Sequence, residues 1–177
     1  MKMGSIVRLI KNGPRAVARK IRRRIRCRNY VHVRQGDVAE TLRHIEAFTE
    51  GFFLYDGVLY ESSGRKDSSF VYRYSDGYRK DFDKVFLEGS VIWKDRMFLL
   101  TYRDHVAYVL DKETFEIIRQ YPYPREGWGL TTDGEYLIAS NGSDRLFYMD
   151  EEFNTVRTVE VRDAGRPVRN INEPEYV

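Results

Sequence analysis

The stretch Phe86-Leu87-Glu88-Gly89-Ser90-Val91-Ile92-Trp93-Lys94-Asp95-Arg96-Met97-Phe98 decides the fold, because it is the middle one of three related segments. Before it, Phe48-Thr49-Glu50-Gly51 leads into Phe53–Tyr60; after it, Gly127-Trp128-Gly129-Leu130 leads into Thr131–Leu137. The glycines Gly51, Gly89 and Gly129 fall 38 and 40 residues apart. A period of about 40 residues is what one four-stranded blade of a propeller occupies.

Each glycine is followed by a short apolar run, a polar turn bearing Asp or Gly, and a second apolar run, which predicts a tight hairpin. A third strand is expected at 70–74, 106–110 and 146–149. In the last two repeats an Asp turn and a fourth strand follow, at Phe115–Arg119 and Thr155–Val161. The reading is all-β, with about three blades and a basic helix ahead of them.

The 177 residues are 42% hydrophobic and 14% aromatic, with many Tyr and Phe, which favours strands over helices. Cys27 is the single cysteine, so no internal disulfide is possible and no oxidising compartment is demanded. No apolar run approaches the roughly 20 residues of a membrane-spanning helix.

The net charge of +3 hides a division. Residues 1–36 hold twelve Lys or Arg and no acid, leaving eighteen basic against twenty-seven acidic residues in the remainder. Val17, Ile21 and Ile25 recur at helical spacing among arginines, as in a basic amphipathic helix. Such a helix suits an anionic lipid surface or nucleic acid, or is a solvated leader without a partner. Its charges interrupt the apolar core of about 7–15 residues that a secretory signal requires, which by sequence predicts a cytoplasmic protein. The expected division is a basic segment at 1–29 and an incomplete propeller at 30–177.

Several ordered motifs carry a resemblance across about residues 30–177: Ala47-Phe48-Thr49-Glu50-Gly51, Leu59–Gly64, Phe86–Gly89, Phe115–Gly134, Asn141–Leu146 and Gly165–Tyr176. Together they resemble the plant and bacterial type of glutaminyl cyclase, a five-bladed propeller. That family turns the N-terminal glutamine of a peptide or protein into pyroglutamate and releases ammonia. It implies no cofactor or metal, and it allows an extracytoplasmic location.

The reaction needs a group that takes a proton from the α-amine and returns one to the leaving nitrogen, which one carboxylate can do. By resemblance Glu88 has that role. A planar amide is well held between aromatic faces that exclude water. The resemblance places Phe48, Phe86 and Trp128 in this cage, with Tyr102 where the family usually has Trp, and Asn172 as the donor or acceptor for the substrate amide.

Two departures stand out. Glu50 replaces the family's Gln, and either holds the substrate ammonium more strongly or raises the pKa of Glu88 by like-charge proximity. The chain also stops at Val177, before the family's next Trp-containing strand and its Gly-Lys-Leu-Trp motif, so about two blades and a Lys are expected to lie outside it. A rival reading is a non-catalytic propeller module directed by its basic tail.

Other chemistries find no support. His32, His44 and His105 lack partners at zinc-ligand spacing. Neither a nucleophile elbow nor a phosphate loop occurs. Asp150–Asn154 lacks the central glycine of a calcium loop. Asn141-Gly142-Ser143 is formally a glycosylation acceptor that also fits a hairpin turn.

Overall fold

The structure, a computed structural model, describes residues 43–176. The expected basic helix within 1–29 and the expected strand at Tyr30–Val33 lie outside the described residues. Within them the chain is all-β, with fourteen strands and no helix.

Three four-stranded antiparallel sheets follow one another in chain order. The first holds β1 (Thr49–Tyr55), β2 (Val58–Ser63), β3 (Ser69–Arg73) and β4 (Tyr78–Phe82). The second holds β5 (Leu87–Trp93), β6 (Arg96–Thr101), β7 (Val106–Asp111) and β8 (Ile117–Pro122), and the third β9 (Leu130–Thr132), β10 (Leu137–Ala139), β11 (Arg145–Met149) and β12 (Thr155–Glu160). A ribbon of β13 (Arg162–Asp163) and β14 (Arg166–Pro167) comes last. Every sheet is a simple meander, as the repeats predicted.

The first hairpin turns at Asp56 and Gly57 (φ 47° and 76°), the second at Lys94 and Asp95 (φ 48° and 59°). Two successive left-handed residues match the twist of the flanking strands, which is why such two-residue turns close hairpins. The turns into the fourth strands rest on aspartates. Asp111 Oδ1 accepts from the N–H groups of Glu113 (3.0 Å) and Thr114 (2.8 Å), and Asp150 Oδ1 from those of Glu152 and Asn154 (2.9 Å each).

Two strands depart from the sequence reading. β4 belongs to the first repeat, for which no fourth strand was expected: Tyr78-Arg79-Lys80-Asp81-Phe82 is an edge strand with only Phe82 buried, so it lacks an apolar signature. In the second repeat the fourth strand begins at Ile117, not Phe115. Phe115 instead takes φ 53° in the Asp111 turn and drops its ring, fully buried, into the core.

The core is two layers, one on each face of the second sheet. Met97, Leu99 and Leu110 pack with Phe53, Tyr60, Val71 and Phe82 of the first sheet. Phe98, Leu100 and Val109 pack with Leu130, Leu137, Met149 and Phe153 of the third. Because both faces of the second sheet are covered, β5 is buried along its whole length and β6 reads as a continuous apolar run. Truncating Leu99 or Leu100, both inaccessible to solvent, to Ala would cost about 2–5 kcal/mol.

Candidate active site

The first strands of the three sheets are neighbours, β1 beside β5 and β5 beside β9. A Cβ on Gly89 would lie 2.5 Å from the carbonyl oxygen of Trp128 and closer still to the Leu130 nitrogen, so glycine is what lets the second sheet meet the third. The Gly89 N–H donates to that Trp128 carbonyl at 2.8 Å. Buried hydroxyls line the same seam: Ser62 Oγ donates to the Glu88 carbonyl (2.6 Å) and lies 3.0 Å from Ser90 Oγ, while Ser140 Oγ accepts from the Gly129 N–H (3.0 Å).

The residues just before the three anchoring glycines are Glu50, Glu88 and Trp128, so one rim position of the repeat supplies all three. The pairing of β1 with β2 shifts register between Thr49 and Gly51, and that of β5 with β6 between Leu87 and Ser90. Each shift is a local bulge that frees a glutamate from the regular alternation and re-aims its side chain. The two carboxyls meet, and Glu88 donates a hydrogen bond to Glu50.

Burial pushes Glu88 up to about 9, helped by the charge of Glu50, the hydrogen bond to it, and more distantly Glu173 and Glu126. Glu50 is raised as well, by burial, with the Glu88 hydrogen bond opposing. The pair therefore shares one proton near neutrality, with Glu88 as its holder. Glu173 is raised to about 8 by the surrounding protein, then by Glu175 and Glu50, and its carboxyl accepts from the Phe52 N–H. Its side chain is open to solvent whereas Glu88 is only 6% exposed, so the proton on Glu88 is the better held of the two.

Three of the four expected cage rings form a continuous row. The rings of Phe48 and Phe86 meet edge to face at 6.0 Å, and those of Phe86 and Tyr102 are 5.8 Å apart. The Phe86 ring and the Glu50 stem both converge on Gly64, where a Cβ would lie 2.8 Å from Glu50 Cγ. Among the described residues Trp128 is linked to this row through a charged pair. Its Nε1–H donates to Glu126 Oε2 (3.3 Å), Glu126 Oε1 accepts from Arg103 Nε–H (2.7 Å), and the Arg103 guanidinium lies 4.5 Å from the Tyr102 ring centroid. The hydrogen bond from Arg103 holds Glu126 below the usual carboxylate range, so it stays ionised while Glu88 does not.

Asn172 is exposed, on a stretch tethered at both ends near Trp128. Upstream the Asn170 N–H donates to the Gly142 carbonyl at 2.8 Å. Downstream the backbone of Glu173 lies against Gly129. Sequence reasoning passed over Glu173, Glu126, Arg103 and the fully enclosed Glu61, whose carboxylate accepts from Thr49 Oγ1 (2.5 Å) and Tyr74 Oη (2.8 Å). Glu61 lay inside a quoted motif, but only the fold shows that its carboxylate is interior.

A succession of four-stranded antiparallel meanders, with two carboxyls meeting beside aromatic rings where their first strands adjoin, defines an all-β, propeller-like protein. The chain belongs to the glutamine cyclotransferase family, whose sequence model matches residues 15–177. It is 32% identical over 150 residues to a glutaminyl-peptide cyclotransferase of Arabidopsis thaliana, an alignment covering 79% of this chain and 47% of that protein. Its fold resembles the glutaminyl cyclase of Myxococcus xanthus with a TM-score of 0.66 and 27% identity, over 72% of this chain and 56% of that one. The hydrazine synthase of Kuenenia stuttgartiensis shares the fold alone, at a TM-score of 0.51 and 14% identity over 72% of this chain and 40% of that one. The chain thus spans about half the length of the cyclotransferase relatives it matches.

Proposed function

We propose that this chain bears the acid–base and aromatic part of a glutaminyl-peptide cyclotransferase site. It acts on peptides or proteins with N-terminal glutamine, and its sheets are three blades of a five-bladed type of propeller. The observation that carries the reading is the hydrogen bond between Glu88 and Glu50 at equivalent rim positions, next to the Phe86 ring.

The substrate reacts as its free amine, a minor but accessible form near neutrality because an α-amino group titrates at about 7.7–8.0. The amine nitrogen attacks the side-chain amide carbon, and a C–N bond forms. The proton it sheds passes to Glu50, the ionised member of the pair. Glu88 gives its proton to the amide nitrogen, the old C–N bond breaks, and ammonia leaves. The pair ends with one proton, as it began, and transfer within the hydrogen bond resets it.

Phe48, Phe86, Tyr102 and Trp128 hold the flat amide and keep water from the reacting atoms, and Asn172 hydrogen-bonds the amide. In this reading Glu50 acts on Glu88 by proximity, the second of the two effects its presence suggested. The basic stretch 1–29 precedes an enzyme domain at 30–177 and brings it to an anionic surface, a contact that would weaken steeply with salt.

The test is incubation of the protein with a short Gln-initiated peptide, following ammonia release and the matching mass loss of the peptide. Release from the Gln peptide, with none from the same peptide carrying an acetylated amine, is the expected result. No release at any pH between 6 and 9 overturns the reading.

A further inference from the structure

The backbone of Trp128 is pinned on both sides. Its N–H donates to the Ser140 carbonyl (3.2 Å) and its own carbonyl accepts from Gly89 (2.8 Å), so the remaining freedom is the orientation of the indole. Two contacts remove it. Glu126 Oε2 takes the indole N–H at 3.3 Å, and the six-membered edge of the ring seats on Gly142, where a Cβ would fall 2.6 Å from Cη2 and Cζ2. The other oxygen of Glu126 is held by Arg103 at 2.7 Å, and the same guanidinium stacks on Tyr102, 4.5 Å from its centroid. A planar, always-charged fork suits this double duty: it bonds a carboxylate in its plane and lays its face on a ring.

We propose that Arg103 and Glu126 are positioning residues that fix the distance and tilt between the Tyr102 and Trp128 rings, and so the width of the slot that receives the substrate's glutamine side chain. The slot assignment rests on the cyclotransferase reading; the ring-holding role does not. Arg103 is 65% exposed and Glu126 34% exposed, so replacing either leaves the core layers intact.

The chain has two tryptophans, and Trp93 is buried with its Nε1–H on the Gly134 carbonyl at 3.0 Å. A change in accessible tryptophan emission therefore reports Trp128. Emission spectra and acrylamide quenching are compared for the full chain and for Glu126→Ala, Glu126→Gln, Arg103→Ala and Arg103→Lys, with matched far-ultraviolet spectra as the check on folding.

Glu126→Ala and Arg103→Ala are expected to red-shift the emission and raise quenching about twofold. They should also raise KM for a Gln peptide about 3–10-fold while kcat changes less. Glu126→Gln keeps an acceptor for the indole and stays near the parent emission, and Arg103→Lys, which keeps the charge but not the flat face, falls between. Unchanged emission and quenching in both alanine variants overturns the ring-holding role, and a fall in kcat at constant KM overturns the slot. A parent chain that releases no ammonia while its alanine variants show the shift overturns the cyclotransferase reading and leaves the ring-holding role standing.

Discussion

Glu88 donates its carboxyl proton to Glu50 across the seam between the first two sheets, and burial holds that proton to about pH 9. Glu88→Gln removes the donor of the proposed reaction. Ammonia release should fall about 10²–10⁴-fold, with KM within a few-fold of the parent. Turnover left unchanged by Glu88→Gln would dismiss this assignment.

Glu50→Gln restores the amide that the family resemblance expects. It removes a like charge beside Glu88 and leaves a neutral amide, whose oxygen can still accept and whose N–H can donate, so the pKa of Glu88 falls even though burial, the larger cause, remains. Glu88 then ionises at lower pH than in the parent, and in that form takes and returns the proton alone. Turnover within about tenfold of the parent is expected, with the alkaline limb of the parent's bell-shaped profile, near pH 9, lost from the pH–rate curve. A variant profile superimposable on the parent's would count against the shared proton.

The same proton governs stability. Glu88 has a folded-state value raised from 4.5 to about 9, so the native state binds a proton that the unfolded chain has released. Its contribution is complete below pH 4.5 and is lost as pH rises to about 9. Thermal unfolding should show Tm falling from pH 5 to pH 9. Glu88→Gln, which needs no proton to be neutral, should flatten that fall and melt about 4 °C or more above the parent at pH 9.

Gly89→Ala would place a methyl carbon 2.5 Å from the Trp128 carbonyl oxygen and nearer still to the Leu130 nitrogen. Both are backbone atoms of the adjoining sheet and cannot swing aside. A loss of about 3 kcal/mol in urea unfolding is expected, against under 1 kcal/mol for Gly57→Asn in the first hairpin turn, where open space surrounds the residue.

Tyr74→Phe takes one hydroxyl from the interior carboxylate of Glu61 while keeping the ring that meets Phe52 edge to face at 6.2 Å. A loss of about 1–3 kcal/mol is expected in the same assay. If Tyr74→Phe unfolds at the parent's urea concentration, the Glu61 contact contributes nothing.

The sheets were legible because each repeat restates the same text: a glycine where strands crowd, apolar runs, and an Asp or Gly where the backbone turns left-handed. β4 was not, because an outer strand with water on most of its surface needs no apolar residues beyond Phe82. The offset at Phe115 was hidden by its ring, which is core although its backbone is turn. Glu50, Glu88 and the Phe48–Phe86–Tyr102 row were reached through family motifs. Arg103, Glu126 and Glu173 were invisible since their partners lie 23, 2 and 121 residues away along the chain and nothing local marks an exposed charge as a brace.

Glu50 and Glu88 occupy one and the same place in successive copies of a single structural unit. Units of one shape set side by side bring equivalent rim positions of neighbouring sheets together, so the two carboxyls meet without any special loop to join them. The third copy, with an indole at that place, shows the position is also free to change chemistry without disturbing the scaffold that presents it.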